Sequence, residues 1–197
     1  MEKMKSHKQK ADEQIVHEYE VDTLGAPFKV SIIDVASIRI DPKTGKKSVQ
    51  IPDLVGLINS VVRRRVSDKR KLNGPELKFL RTAIRVRAKT LAEFLDMSPE
   101  HLSRCEAGSK VMTTVSEKLL RLSVYLATYM AEPQDMFEKQ VDEDEIVKKA
   151  GEPEDILKRI VNRFLLMKIQ SVFDPSVELK YSFRRVDTSE QWSTEAA

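Results

Sequence analysis

The sequence is poor in several features on which common classes of protein depend. Its 197 residues include one cysteine, Cys105, so no disulfide can form within the chain and a reducing compartment is expected. No apolar run approaches the roughly 20 residues that a membrane-spanning helix needs. The first 14 residues lack the apolar core of a secretory signal. These absences predict a cytoplasmic protein with no membrane partner.

Catalytic and metal-binding patterns are missing as well. There is no G-x-S-x-G segment, no Walker-type glycine loop and no Cys–His pairing with a third partner. His7 and His17 are isolated, and no residues have the spacing of metal ligands. We therefore expect neither an enzyme, nor a cofactor, nor a bound metal.

What the sequence does contain is charge in blocks. Charged residues make up 33% and aromatic residues 6%, which favours amphipathic helices over a β-sandwich. Residues 63–131 carry 15 basic and 7 acidic side chains, whereas residues 132–155 carry 3 basic and 10 acidic ones. A basic block is typical of a module that binds a polyanion.

Turn residues and periodicity divide the chain into four parts. Residues 1–14 predict a flexible arm, and residues 15–66 a β-rich module with turns at 25–27 and 41–45 that ends in an amphipathic linker helix. Residues 67–131 predict a helical domain. Residues 132–197 predict an acidic connector, a helix with Ile156, Ile160, Phe164 and Met167 on one face, a strand near 177–186 and a frayed end. The expected fold class is α+β, mainly α.

The most specific pattern lies between Leu80 and Lys110. We expect helices over 75–86, around 90–95 and over 99–107, with a tight turn at Asp96-Met97. Ser98 is a preferred N-cap, Pro99 is tolerated at the first helical position, and Gly108 stops the helix. A short helix after a tight turn suits the DNA major groove. A further helix over 114–130 carries Val115, Leu119, Leu122, Leu126 and Met130 on one stripe.

Segment 75–110 resembles the lambda-repressor/Cro-like (XRE) helix-turn-helix family. The matching features are Leu91-Ala92, Ser98-Pro99, Ser103-Arg104, Glu106-x-Gly108 and Arg81. The resemblance implies a five-helix Cro-like domain and a structural ion pair between Arg81 and Glu106. Arg87-Ala88 stands where the family often has Ser-Gln, which favours charge contacts to phosphate. Cys105 replaces the family's usual aromatic residue.

Residues 19–62 resemble the N-terminal module of MqsA-type (YgiT-type) antitoxins. Ile51-Pro52 followed by Leu57 falls at that family's hinge motif. The family binds zinc through two cysteine pairs, which this chain lacks, so no zinc is expected here. The resemblance implies that residues 15–62 could mask a toxin protein.

We expect ten residues to contact double-stranded DNA. His101 and Arg104 lie three residues apart on the helix predicted over 99–107, so both can reach a base edge or a phosphate. Glu100 can accept from a cytosine or support the start of its own helix, and Ser98 is a cap first. The complete set is Arg87, Lys89, Thr90, Ser98, Glu100, His101, Ser103, Arg104, Ser109 and Lys110. The basic run of Arg63, Arg64, Arg65, Lys69, Arg70 and Lys71 either follows flanking phosphates or is a solvated helix end.

The sequence thus predicts a transcriptional regulator, most simply a repressor that binds a palindromic operator as a homodimer. The stripe on 114–130 and the helix around Ile160 are both candidates for the dimer surface. Two alternatives stay open. The chain is either a stand-alone regulator or an autoregulating antitoxin, and the rival class is an adaptor whose helix-turn-helix no longer reads DNA.

Overall fold

The computed structural model describes residues 13–129, 154–170, 174, 178–186 and 192–194. Within these residues the chain is an α+β protein of six helices and two sheets. The helices are α1 (Leu54–Ser67), α2 (Gly74–Ala83), α3 (Ala88–Phe94), α4 (Pro99–Glu106), α5 (Thr114–Ala127) and α6 (Glu154–Leu165). Residues 1–12 of the predicted arm and residues 132–153 of the predicted acidic connector lie outside the described residues.

Seven short strands form two small sheets. The strands are β1 (Glu13–Ile15), β2 (Glu18–Glu20), β3 (Lys29–Ile33), β4 (Ser37–Ile40), β5 (Lys47–Gln50), β6 (Lys180–Arg185) and β7 (Trp192–Thr194). The first sheet has the order β1-β4-β5 and the second β2-β3-β6-β7. Both predicted turn clusters are present: Gly25 and Gly45 have φ values of 67° and 68°, which favour glycine.

The C-terminal extension completes the N-terminal sheet. Strand β6 runs parallel to β3, with Lys29 opposite Lys180, and β7 pairs antiparallel with β6. The predicted strand is therefore confirmed, but the expectation of a frayed end is wrong for Trp192. This side chain is 8% exposed, and its indole Nε1 donates to the carbonyl of Asp53, 3.1 Å away at the start of α1.

Helix α1 places one cation of the predicted basic run, Arg65, in the interior. Leu57, Val61 and Val62 are fully buried, as its periodicity predicts. Arg65 is fully buried too, and its guanidinium holds both carboxylate oxygens of Glu76 on α2 at 2.8 Å. Buried charges need such pairing because desolvation is costly.

Two more cations of the run are also held by carboxylates. Lys71 lies 2.6 Å from Glu117, and Arg70 donates to Asp68. The interpretation of 63–71 as one continuous phosphate track or solvated helix end is therefore wrong for Arg65, Arg70 and Lys71. Of the six cations, Arg63, Arg64 and Lys69 are left without a carboxylate within ion-pair distance in the described part of the chain.

The linker between α1 and α2 is fastened to the helices around it. Arg121 of α5 donates to the carbonyls of Val66, Asp68 and Arg70, while Glu117 accepts from the Leu72 amide at 3.1 Å. Although burial alone would raise the pKa of the Asp68 carboxyl, hydrogen bonds from Arg70 and Tyr181 hold that pKa well below its usual range. This polar junction joins α1, α5 and strand β6.

Helix α5 buries a different face from the one its leucine stripe suggests. Leu120, Val124 and Ala127 are fully buried, whereas Val115 is 77% and Leu119 40% exposed. Met130 lies outside the described residues. Helix α6 packs on α5 through Phe164, whose ring centroid is 5.3 Å from that of Tyr125. Of the predicted face, Phe164 is buried on α6, whereas the helix ends at Leu165 and Met167, also buried, lies beyond its end.

Candidate nucleic-acid interface

The candidate interface begins at the loop that leads into α3. The helix predicted over 75–86 ends earlier, at Ala83, since Arg85 has a φ of 58° and helical geometry cannot continue through it. Arg87 then forms the N-cap of α3 through its extended backbone, and its side chain is exposed. Lys89 is exposed and lies 3.8 Å from Glu93, while Thr90 is half-buried. These three predicted residues form one group at the start of α3.

The turn between α3 and α4 has the geometry that its sequence predicts. Asp96 has a φ of 51°, and the Met97 amide donates to the carbonyl of Ala92 at 3.0 Å. Asp tolerates this left-handed conformation because its short side chain can hydrogen-bond locally. Ser98 then caps α4, accepting from the amide of His101 at 3.2 Å, with Pro99 at the first helical position. The tight turn and the cap are confirmed.

Helix α4 presents one polar face to solvent. Leu102 and Cys105 are buried against the neighbouring helices, and burial raises the pKa of the Cys105 thiol, which keeps it protonated. The exposed residues of α4 are Pro99, Glu100, Ser103 and Arg104, followed by Ala107 at the C-cap, and His101 is half-buried beside them. Four of the predicted contact residues therefore belong to α4, and three of them are on its open face.

Glu100 has a local role in its own helix. A hydrogen bond from its own backbone amide, then one from the Ser98 hydroxyl, lower the pKa of its carboxyl. Arg104 one turn later lowers this pKa further. A carboxylate at this place is favourable at the positive end of the helix, and it is exposed on the open face of α4.

The segment after α4 folds back on the helix end. Gly108 has a φ of 75°, and the carbonyl of Arg104 accepts from the amides of Ser109 and Lys110 at 3.0 and 3.1 Å. The Ser109 hydroxyl donates to the same carbonyl at 3.1 Å. This arrangement fixes the backbone of Lys110 beside Arg104 and leaves the Lys110 side chain exposed.

Two contacts fix the position of α4 against α2. Arg81 forms a two-pronged ion pair with Glu106, at 2.6 and 3.0 Å, and also donates to the carbonyl of Val86. The pair predicted from the family resemblance is therefore confirmed, and it is largely buried. Gly74 makes the second contact. A Cβ there would lie 2.5 to 2.8 Å from backbone atoms of Cys105, Glu106 and Gly108.

No protein-family model, no curated protein and no solved structure matches the chain.

Arg85 is one residue of this surface that sequence reasoning missed. It is exposed, and none of the described carboxylates lies within ion-pair distance of it. The alternation Arg85-Val86-Arg87 could have predicted its exposure, because Val86 is buried and both arginines then point outward. Around α3 and α4 the exposed cations are Arg85, Arg87, Lys89, Arg104 and Lys110, against the acids Glu93, Asp96 and Glu100.

Over the described residues, no three or more His, Cys, Asp or Glu side chains are grouped so that they could hold a metal ion. None of the described helices combines the length and the apolar character needed to cross a bilayer.

Proposed function

We propose that this protein is a sequence-specific DNA-binding transcriptional regulator in which α4 is the recognition helix. The observation that carries the proposal is the open polar face of α4, held rigidly after a tight turn. A helix presented in this way fits the major groove, where Arg104 can bind a guanine with two hydrogen bonds. Arg87, Lys89 and Lys110 then neutralise phosphates on either side.

The mechanism we propose is repression by occlusion of a promoter in the cytoplasm. The buried Arg81–Glu106 pair and the close packing at Gly74 support this, because a reading helix must keep its angle to the rest of the protein. In this role His101 and Ser103 approach base edges, whereas Thr90, Ser98 and Ser109 approach the sugar-phosphate backbone.

The same proposal includes a homodimer on a palindromic operator. Helix α6 already packs on α5 through Phe164, so we place the dimer contact at the exposed end of α5, with Val115 and Leu119. Val111 nearby is 74% exposed and extends this patch. Two copies joined there would bind half-sites related by two-fold symmetry.

A second role as an antitoxin is favoured by one feature of the first sheet. A groove beside that sheet is lined by Ile15, Val35, Val49, Ile51 and Leu54, of which Ile15 is 65% exposed. An apolar groove of this kind suits a protein partner such as a toxin. A short neighbouring reading frame, co-transcribed and toxic when expressed alone, would support this role.

The test is an anisotropy titration of the full chain against its own upstream DNA, with a scrambled duplex, at two salt concentrations. We expect tight, selective binding that weakens steeply with salt. Arg104→Ala should cost about 1–3 kcal/mol on the specific duplex and little on the scrambled one. Lys78→Ala removes an exposed charge from α2 and serves as the matched control.

Two results would contradict the proposal. Equal, weak binding to both duplexes would favour the adaptor, in which the two helices are a scaffold for protein contacts. An equal loss on both duplexes for Arg104→Ala would make Arg104 a phosphate contact and remove it from base recognition.

A further inference from the structure

A basic groove lies on the side of α1 that faces away from α2. It has a volume of about 800 Å³ and is walled by α1, the end of α5, α6 and the strands β6 and β7. Arg63 of α1 lines the groove. Arg65, two residues later, points to a direction roughly 200° away around the helix axis, where it binds Glu76 of α2. The groove is therefore separated by α1 from the helices that carry the candidate DNA surface.

Positive charge dominates the groove. Its charged lining residues are Arg63, Arg64, Arg163, Arg185 and Asp53. The Asp53 carboxylate already accepts from the Gly56 amide at 2.9 Å, where it caps α1. In the described ranges no carboxylate lies within ion-pair distance of Arg63, Arg64 or Arg163. The groove thus holds a surplus of cations, which an anionic ligand would neutralise.

Two of these arginines are pre-oriented by aromatic rings. The guanidinium carbon of Arg63 lies 5.1 Å from the ring centre of Tyr129, and that of Arg64 lies 5.1 Å from that of Tyr181. The cation–π contact restrains each guanidinium, and Nη2 of Arg63 also donates to the Ser60 hydroxyl at 3.5 Å. Less side-chain entropy is then lost when a ligand binds.

The groove also has an aromatic wall. Tyr125 and Tyr129 are half-buried, with ring centres 5.8 Å apart, and the Tyr129 hydroxyl donates to that of Tyr125 at 3.4 Å. Burial, and then the contact with Tyr129, raise the pKa of Tyr125 to about 12. The Tyr125 hydroxyl is therefore neutral, and aromatic side chains line the groove beside the arginines.

Size, charge and rings together define one class of ligand. A groove of this volume lies within the range of about 300–1,000 Å³ that small-molecule sites occupy. Inorganic phosphate would use only the arginines, whereas a nucleotide would use the arginines for its phosphates and the tyrosines for its base. We propose that this groove binds a nucleoside polyphosphate, independently of whether α4 binds DNA.

The test is calorimetric titration of the full chain with ATP, GTP, inorganic tripolyphosphate and a short oligothymidylate. Trp192 is the only tryptophan of the chain and lies in the groove wall, so its fluorescence gives a local second readout. The test variant is Arg63→Ala/Arg64→Ala. The matched control is Lys46→Ala/Lys47→Ala, which removes two exposed charges from the β4–β5 hairpin. Thermal melting checks that every variant is folded.

We expect ATP or GTP to bind saturably, to change the Trp192 fluorescence and to bind more tightly than tripolyphosphate. The arginine variant should weaken this binding roughly tenfold or more, and the lysine control should not. Arg63→Lys/Arg64→Lys should recover only part of the affinity, because lysine keeps the charge but loses the planar fork.

Four outcomes would overturn the proposal. These are the absence of saturable nucleotide binding, unchanged nucleotide affinity in the arginine variant, tripolyphosphate binding as tightly as the nucleotides, and tighter binding of the oligothymidylate. The last would make the groove a single-strand nucleic-acid surface. None of these outcomes depends on the duplex DNA titration, so this proposal and that of DNA binding can fail separately.

Discussion

Two basic segments that look alike in the sequence end in opposite environments. In the segment 63–71, three of six cations are held by carboxylates, and Arg65 is fully buried. Around α3 and α4, five cations are exposed, and Lys89 alone lies within 4 Å of a described carboxylate. The first segment stabilises the junction between modules, whereas the second is available to a partner.

The difference depends on acids that are distant in the sequence. Glu76 and Glu117 meet the first segment only because α2 and α5 fold back over α1. The cations near α4 meet no comparable buried acid, since the one acid that faces inward there, Glu106, is taken by Arg81. Local charge density therefore does not distinguish a binding surface from a structural network.

The largest effect should come from breaking the buried pair of the first segment. Arg65→Met leaves Glu76 buried without its partner, and we expect the free energy of unfolding to fall by about 3–5 kcal/mol. Urea denaturation followed by circular dichroism measures this. Arg65→Met/Glu76→Leu should recover much of the loss, because no uncompensated charge remains. A loss below about 1 kcal/mol in the single variant would show that Arg65 is not buried as described.

The second-largest effect on stability should come from the close contact between Gly74 of α2 and the backbone at the end of α4. In Gly74→Ala the new Cβ meets backbone at the end of α4, and we expect a loss of about 1–3 kcal/mol from overpacking. DNA affinity should fall as well, since α4 must move. Lys78→Ala on the exposed side of α2 is the control and should stay within about 0.5 kcal/mol of the wild type. Unchanged thermal stability in Gly74→Ala would contradict the contact.

The third effect is smaller and depends on pH. Asp68→Asn should lower the free energy of unfolding by about 1–2 kcal/mol at pH 7, because the carboxylate accepts from Arg70 and Tyr181. The folded-state pKa of Asp68 lies below the unfolded value near 4. Its contribution is thus complete well above pH 4 and is lost as the pH falls through the folded-state value.

Urea denaturation at pH 7 and pH 3 tests this sign. The wild type and Asp68→Asn should differ less at pH 3 than at pH 7. A difference that grows on acidification would mean that Asp68 has a raised pKa in the folded protein, contrary to its hydrogen bonds.

The smallest effect on stability should come from the exposed cations of the second segment. Arg87→Ala/Lys110→Ala should change the free energy of unfolding by no more than about 0.5 kcal/mol. Under the proposed function it should weaken binding to all duplexes and reduce the salt slope by about 2. Titrations at several salt concentrations give this slope, and an unchanged slope would remove both residues from the phosphate contacts.

Local patterns predicted the local structure well. The tight turn at Asp96, the Ser98 cap and the stop at Gly108 follow from residue types whose backbone preferences act within a few positions. The inward face of α1 follows from its periodicity. The Arg81–Glu106 pair came from the family resemblance, and it is confirmed.

The features that the sequence did not predict depend on contacts between residues that are far apart in the chain. The stripe with Val115 and Leu119 was predicted as an apolar face of α5 and a candidate dimer surface. The pattern did not predict that the buried face contains Glu117 and Arg121, which a hydrophobic pattern treats as surface. The strand near residue 180 was predicted, but its parallel pairing with β3 was not, since no local signal names a partner about 150 residues away. The basic groove was not predicted either, because its lining residues come from elements far apart in the sequence.

The pairing of β3 with β6 has a consequence for how the chain is made. While the ribosome is still producing the helices, β2 and β3 are already complete, but one edge of β3 has no neighbour until Lys180 and the residues after it emerge. The second sheet therefore closes last, when Trp192 reaches the start of α1. Until then the nascent chain carries an open strand edge, which is the time when a chaperone would protect it best.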